Sequence, residues 1–202
     1  MNTAKPIDNA ILRSMRAAPT ASVFSPRHFA GFGGSDAVRK ALSRMVQAGK
    51  IQRVRRGLYH LPRPHPIVGQ TGPDIMATVR AVMEGSHAQW QFTGAYAANA
   101  LGLSDQVPAK IIILTDGIPR KLALGKLTLI FRRAAPRNLV GAGRRAGLVI
   151  QALRYLSGSP EMAKHVARLH RDLDSTTKKD LLALASKLPA WMKPLAQEIS
   201  QN

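Results

Sequence analysis

Apolar residues recur every three or four positions in two segments near the N-terminus, which is the spacing of one face of an α-helix. The first segment predicts a helix that ends near Ala17. The second predicts a helix from about Asp36 to Ala48, with Ser35 as its N-cap and Gly49 as the left-handed residue after its end. The apolar positions of this second helix are Val38, Ala41, Leu42, Met45 and Val46.

The residues around the second helix predict a winged helix-turn-helix. A short helix that begins at Ser25-Pro26 precedes it, and two short β runs, Ile51–Val54 and Leu58–Leu61, follow it. Val23-Phe24 can add a small strand to the same sheet. A solvated, charged helix beside an ordinary hairpin is the alternative. The order of short helix, glycine turn, capped helix and hairpin favours the winged helix-turn-helix.

The polar face of the second helix carries side chains of the types that contact base edges and phosphates in a major groove. The hairpin adds arginines where a wing touches sugar and phosphate. We therefore predict that this segment binds double-stranded DNA. The predicted DNA-binding residues are Ser35, Asp36, Arg39, Lys40, Ser43 and Arg44 on the helix and Arg53, Arg55 and Arg56 on the hairpin.

A change of composition predicts a domain boundary after the winged helix. The segment from Pro62 to Pro73 is rich in proline and glycine, which is typical of a linker. We expect a DNA-binding domain over residues 1–66 and a larger mixed α/β domain over residues 67–202, so the fold class is α+β. The second domain is predicted to contain a helix over residues 73–85, strands at Trp90–Thr93, Lys110–Thr115 and Lys126–Arg133, and a helical tail.

Composition and charge narrow the classes of partner. The chain of 202 residues has a formal net charge of +19 and no cysteine. So large a positive charge favours a polyanion or an acidic protein as partner. The absence of cysteine excludes disulfides and thiolate metal sites and agrees with a reducing compartment. No apolar run predicts a membrane span or a signal peptide, so we expect a cytoplasmic protein.

No arrangement of residues predicts an enzyme. The six histidines form neither an H-E-x-x-H motif nor a pair four residues apart on a helix. Asp116, which follows the strand Lys110–Thr115, is better explained as a turn residue before Gly117. We expect no catalytic residues, no metal and no cofactor. A nucleic-acid-processing enzyme stays as an alternative, tested by metal-dependent DNA cleavage that is lost on Asp116→Ala.

Two long strings resemble the type IV toxin–antitoxin antitoxins of the abortive-infection AbiEi family, which act in phage defence. The first is FSPRHFAGFGGSDAVRKALSRMVQAGKIQRVRRGLYHL, from residue 24. The second is FTGAYAANALGLSDQVPAKIIILTDGIPRKLALGKLTLIFRRAAPRNL, residues 92–139. The resemblance implies that the winged helix represses its own operon by binding promoter repeats. It also implies that the C-terminal domain counteracts a nucleotidyltransferase-like toxin encoded nearby.

A second basic region lies at the end of the strand Lys126–Arg133 and in the loop that follows it. We expect this basic cluster to face either flanking DNA or the toxin, with a solvated strand end and loop as the alternative. Another alternative is a winged-helix regulator whose C-terminal domain senses a small ligand, with a pocket near Trp90–Leu103. The basic cluster consists of Arg132, Arg133, Arg137, Arg144 and Arg145.

Overall fold

The computed structural model describes residues 6–67 and 69–201 and divides the chain into two compact units, Met1–Ser86 and His87–Asn202. Both contain helices and sheets, which confirms the α+β class. The N-terminal unit contains α1 (Pro6–Ala17), β1 (Val23–Phe24), a 3-10 helix (Pro26–Phe32), α2 (Ser35–Gln47), β2 (Gln52–Arg55), β3 (Leu58–His60), β4 (Pro64–His65), β5 (Gly69–Gln70) and α3 (Ile75–Met83). The C-terminal unit contains β6 (Trp90–Thr93), α4 (Ala95–Ala100), β7 (Lys110–Thr115), β8 (Arg120–Leu124), β9 (Leu127–Arg133), α5 (Arg145–Tyr155), α6 (Met162–Asp172), α7 (Ser175–Leu184) and α8 (Lys193–Ser200).

The winged helix-turn-helix is built from α1, the 3-10 helix, α2 and a three-stranded antiparallel sheet. The strand order is β1-β3-β2. Val23 lies opposite His60, and Arg53 lies opposite Tyr59. The pairing of β1 with β3 confirms that Val23-Phe24 joins the wing sheet. The core between these elements contains Ile11, Met15, Phe24, Phe29, Val38, Ala41, Leu42, Met45, Ile51 and Tyr59.

The two ends of α2 differ in how well the sequence predicted them. Gly34, and not Ser35, is the N-cap, because the helix begins one residue earlier than expected and Ser35 already lies in its first turn. The C-terminus of α2 is as predicted, because Gly49, the residue after the C-cap, has the left-handed φ of +65°. The N–H groups of Gly49 and Lys50 donate to carbonyls of the last turn at 3.0 and 2.9 Å, which is a Schellman motif.

The proline-rich segment over residues 62–73 is not a free linker. Its strands β4 and β5 form a small antiparallel hairpin. At the start of the segment, the guanidinium of Arg63 caps the C-terminus of α1. Its Nη2 lies 3.1, 2.8 and 2.7 Å from the carbonyl oxygens of Met15, Arg16 and Ala18. Because these are carbonyls that a helix leaves without partners, the segment stabilises the first helix.

The domain boundary consequently lies twenty residues later than predicted, after Ser86 and not at 66/67. His60 is buried, and its Nε2 lies 2.9 Å from the carbonyl oxygen of Thr71. The N–H of Asp74 donates to the carbonyl of Ala21 at 2.9 Å. These bonds join the segment and the start of α3 to the winged helix. Composition alone did not predict them, because prolines in a hairpin and prolines in a linker look alike in sequence.

The C-terminal unit is organised around a four-stranded sheet with the order β6-β7-β9-β8. Strands β7 and β9 are parallel, and the other two pairs are antiparallel. The predicted strands β6, β7 and β9 are confirmed. Strand β8 was not predicted, because this edge strand buries only Leu122 and Leu124 and its other side chains are polar or small. An apolar pattern of two residues is too short to predict a strand.

The helical tail packs into a second core with α4. The four tail helices predicted from apolar periodicity correspond to α5, α6, α7 and α8, and the predicted helix over residues 73–85 corresponds to α3. Phe92 of β6 is buried, and its ring lies 5.7 Å from that of Trp90 and 4.3 Å from that of Tyr96. The core includes Ala97, Ala98, Val149, Ile150, Leu153, Val166, Leu169, Leu181, Met192, Ala196 and Ile199.

Candidate nucleic-acid interface

The polar face of α2 is the first component of the candidate interface. Ser35, Asp36, Arg39 and Lys40 are exposed, whereas Ser43 is half-buried. The apolar residues of the same helix are buried in the core of the winged helix. The N-terminal half of α2 thus presents two cations, one carboxylate and one hydroxyl to solvent, and this half can enter a major groove.

Arg39 lies folded back along its own helix. Its Nη2 donates to Asp36 Oδ1 at 2.9 Å and to Ser35 Oγ at 3.0 Å. The two charged side chains are 63% and 85% exposed, so the ion pair contributes less than about 1 kcal/mol in water. A base or a phosphate can therefore replace Asp36 as the partner of Arg39 at small cost.

Arg44, predicted to contact DNA, is instead paired inside the N-terminal unit. Its Nη2 lies 2.6 Å from Asp8 Oδ1, and its Nε lies 3.4 Å from Asp8 Oδ2. The Asp8 side chain is 12% exposed and that of Arg44 39% exposed. This bidentate ion pair joins α1 to α2. Arg44 sits at the border between the buried and exposed faces of α2, where periodicity does not decide which way a long side chain turns.

The turn between β2 and β3 is the second component of the interface. Arg56 and Gly57 form the turn, Arg55 ends β2, and Gly57 has a φ of +80°. Arg56 is exposed and Arg55 is half-buried. Arg53 lies farther from the tip, with its guanidinium carbon 5.7 Å from the centre of the Tyr59 ring. The turn thus presents Arg55 and Arg56, while Arg53 is held against an aromatic side chain.

Both components border a single groove in the N-terminal unit. The groove has a volume of about 750 Å³ and is lined by the N-terminus of α2, the 3-10 helix, the wing turn and the C-terminal end of α3. Four arginines line it, and three of them, Arg39, Arg55 and Arg56, are predicted DNA-binding residues. The charged and hydroxyl-bearing lining residues are Ser25, Arg27, Ser35, Arg39, Arg55, Arg56 and Glu84.

The sequence did not predict the two charged residues Arg27 and Glu84 as part of this groove. Arg27 lies on the 3-10 helix, and seven residues are too few for periodicity to assign a face. Glu84 follows α3, and its Oε2 accepts a hydrogen bond from the hydroxyl of Ser25 at 3.2 Å. It comes from a segment that the sequence assigned to the other domain. Glu84 places a carboxylate in a groove that is otherwise cationic.

The basic cluster of the C-terminal unit separates into two groups. Arg144 and Arg145 approach carboxylates of the α7 region, each with 3.5 Å between an Nη1 and an Asp180 or Asp174 oxygen. Arg132 and Arg133 lie at the end of β9, and Arg137 lies in the short 3-10 helix that follows. The structure therefore places the last two predicted members at a different site from the first three.

Other kinds of site are not found within residues 6–67 and 69–201. No group of three or more His, Asp or Glu side chains in these ranges could hold a metal ion. No helix in them is long and apolar enough to cross a membrane. The carboxylate of Asp116 accepts a hydrogen bond from the N–H of Gln89 at 2.9 Å, as a residue that shapes a turn does.

Comparison with known proteins gives a family and one distant structural neighbour. A family model described as a family of unknown function (DUF6088) matches residues 10–181. No curated protein matches the chain. The crystal structure of the RV2827C protein from Mycobacterium tuberculosis is similar at 18% identity and a TM-score of 0.48, and the match covers 98% of this chain and 77% of that chain. None of these descriptions mentions an antitoxin, so the resemblance of residues 92–139 to AbiEi antitoxins stays a prediction.

Proposed function

The chain belongs to the family of unknown function DUF6088, and from the geometry of its N-terminal unit we propose that it binds double-stranded DNA and represses its own operon. One observation carries this proposal. The exposed N-terminal half of α2 and the wing turn border the same groove, which is lined by four arginines. A helix and a neighbouring hairpin that present cations together are what a winged helix needs to hold a duplex.

Each component has its own part in the proposed complex. The N-terminal half of α2 enters the major groove, where Arg39 exchanges Asp36 for a guanine edge and Lys40 contacts a nearby phosphate. Arg55 and Arg56 contact the sugar–phosphate backbone from the wing. Arg27, on the 3-10 helix, borders the same groove and adds a further phosphate contact. The net charge of +19 accelerates the first encounter with DNA.

The proposed role of the C-terminal unit is to counteract a toxin encoded nearby. It is supported by the resemblance of residues 92–139 to AbiEi antitoxins, since this string lies wholly within His87–Asn202. Co-expression with the neighbouring gene tests it, with growth as the measurement. We expect residues 87–202 to restore growth and residues 1–86 to fail. Rescue by residues 1–86 alone would reverse the assignment.

A salt titration tests the proposed division between sequence reading and phosphate contact. The duplexes are the promoter region of the protein's own operon and a scrambled sequence of equal length. Arg39→Ala should weaken promoter binding by about 1–3 kcal/mol while changing binding to scrambled DNA far less. Arg55→Ala should weaken both similarly and reduce the slope of log K against log salt by roughly one.

Arg171→Ala is the matched control. Arg171 lies in the C-terminal unit, and its loss removes the same charge without touching the groove. Equal losses on both duplexes for Arg39→Ala would mean that Arg39 positions the protein without reading bases. If the control variant weakened binding as much as Arg39→Ala or Arg55→Ala, the groove would not be the DNA site.

A regulator with a ligand-sensing C-terminal unit is the second candidate function. It is favoured by a pocket in that unit that is lined by Arg132, Arg133 and Arg154. None of these three arginines has a carboxylate partner among the described residues. Loss of promoter binding in the presence of the ligand would support this candidate.

A further inference from the structure

A pocket of about 470 Å³ lies between α5 and the end of β9. Strand pairing explains its position. In the sheet, Leu114 of β7 lies opposite Arg132 of β9, so the two side chains share a face. Helix α5 borders the same pocket through Arg154 and Tyr155. We call it the Arg154 pocket; Arg132, Arg133, Arg154, Thr93, Gln151 and Tyr155 line it.

The Arg154 pocket has a strong and uncompensated positive charge. None of the ion pairs within residues 6–67 and 69–201 includes Arg132, Arg133 or Arg154. Arg144 and Arg145, by contrast, lie near aspartates. Two members of the basic cluster, Arg144 and Arg145, thus lie near carboxylates, whereas Arg132 and Arg133 line the cavity beside Arg154 and stay available for an anion.

Arg154 is held in place by the protein. Its Nη1 donates to Asn138 Oδ1 at 2.7 Å, and its Nη2 donates to the Arg137 carbonyl at 3.1 Å. Its Nε is buried and has no hydrogen-bond partner among the described residues. Burial, and then the neighbouring Arg137, lower the pKa of Arg154. The surroundings therefore disfavour the charged guanidinium, and a bound anion would relieve this.

The loop that carries Asn138 is fixed by a buried amide. Gln151 donates from Nε2 to the carbonyl of Asn138 at 2.8 Å and accepts at Oε1 from the hydroxyl of Thr93 at 2.9 Å. Both ends of the amide are thus satisfied, and β6, α5 and the loop are tied together. The guanidinium of Arg154 keeps a fixed orientation, which is the condition for recognising a planar or tetrahedral oxyanion with several hydrogen bonds.

We propose that the Arg154 pocket binds the phosphate of a small, nucleotide-sized ligand. The volume is within the range of small-molecule sites. Guanidinium groups match phosphate oxygens in pairs. Tyr155, 46% exposed at the rim, offers an aromatic face to the remainder of the ligand. This site is separate from the groove of the N-terminal unit, and it gives the ligand-sensing candidate a site and a class of ligand.

The test is isothermal titration of the full-length protein with adenosine 5′-monophosphate, with inorganic phosphate as competitor and adenosine as the uncharged comparison. We expect saturable binding of the monophosphate, displacement by phosphate and no binding of adenosine. Arg154→Met should weaken binding at least about tenfold, because the fixed guanidinium is lost. Arg132→Met, at an exposed strand end, should also weaken it and guards against misfolding of the first variant. Arg171→Met removes the same charge outside the pocket and should bind normally.

Three outcomes would overturn the proposal. The first is no saturable binding of the monophosphate or of phosphate. The second is an equal loss for Arg171→Met, which would mean that total charge governs binding. The third is binding of a DNA duplex that depends on Arg154 while the monophosphate and phosphate do not bind. In that case the pocket would be a contact for the nucleic-acid backbone and not a small-molecule site.

Discussion

Shortening the chain at residue 66 should disrupt the winged helix, whereas shortening it at Ser86 should not. Residues 67–86 supply five hydrogen bonds to the part before them through Thr71, Asp74 and Glu84. Thr71 contributes its carbonyl oxygen to His60, and it both accepts from the N–H of Arg63 at its hydroxyl oxygen and donates its own N–H to the Arg63 carbonyl. Asp74 donates to Ala21, and Glu84 accepts from Ser25. At a net value of about 0.5–1.5 kcal/mol each, their loss costs about 2.5–7.5 kcal/mol.

This cost is large against the stability of a small domain. A stability of about 0.05–0.15 kcal/mol per residue gives about 4–13 kcal/mol for a unit of this length. Residues 1–66 should therefore be partly unfolded at room temperature, and residues 1–86 should fold and bind the promoter duplex.

Circular dichroism melting curves of the two shortened proteins measure the difference. Thr71→Val in residues 1–86 is the matched control, because it removes the side-chain bond to Arg63 and keeps the carbonyl bond to His60. It should lower the free energy of unfolding by only about 0.5–1.5 kcal/mol. If residues 1–66 melt at the same temperature as residues 1–86, the hydrogen bonds of the hairpin and α3 do not support the winged helix, and the reasoning fails.

Three other predictions concern single residues. Arg44→Met should lower the free energy of unfolding by about 1–3 kcal/mol, which is less than for a fully buried ion pair because Arg44 is partly exposed. Lys40→Met should change the free energy of unfolding by less than about 0.5 kcal/mol, and chemical denaturation measures both. Glu84→Gln should tighten binding to promoter and scrambled duplexes alike, by about twofold to fivefold in fluorescence anisotropy at low salt, and weaker binding would contradict a DNA site in this groove. The backbone N–H of Thr177, then its hydroxyl, and more weakly Arg145, lower the pKa of Asp174. A carboxylate whose pKa is lowered in the folded state stabilises the fold fully above its unfolded pKa of about 3.9, and this stabilisation is lost as pH falls through its folded pKa. The difference in melting temperature between the wild type and Asp174→Ala should therefore be full at pH 7 and shrink below about pH 4.

The winged helix could be predicted from sequence because its signals are local. The apolar stripe of α2, the glycine after its end and the strand Val23-Phe24 each lie within a few residues of the element they define. The same holds for the tail helices. Each of these patterns is a direct consequence of helical or strand geometry, so tertiary contacts did not need to be known.

What the sequence could not predict depends on contacts between distant residues. The partner of Arg44 is Asp8, thirty-six positions earlier, and no pattern on α2 points to it. The Arg154 pocket is formed by residues from β6, β7, β9 and α5, and Arg154 itself looked like an ordinary arginine in the last turn of a helix. The hairpin over residues 62–73 is fixed by backbone carbonyls, which every residue carries and which no composition reveals.

Both tryptophans of this protein, Trp90 and Trp191, lie in the C-terminal unit. Trp90 packs edge-on against Phe92 in the sheet, and Trp191 is partly exposed in the helical tail. Intrinsic tryptophan emission is therefore a natural optical reporter for one unit and carries no direct signal from the other. A shift in this emission when promoter DNA is added would mean that occupation of the winged helix is sensed in the C-terminal unit. If adding DNA left the emission unchanged and adding adenosine 5′-monophosphate changed it, each unit would bind its own ligand independently of the other.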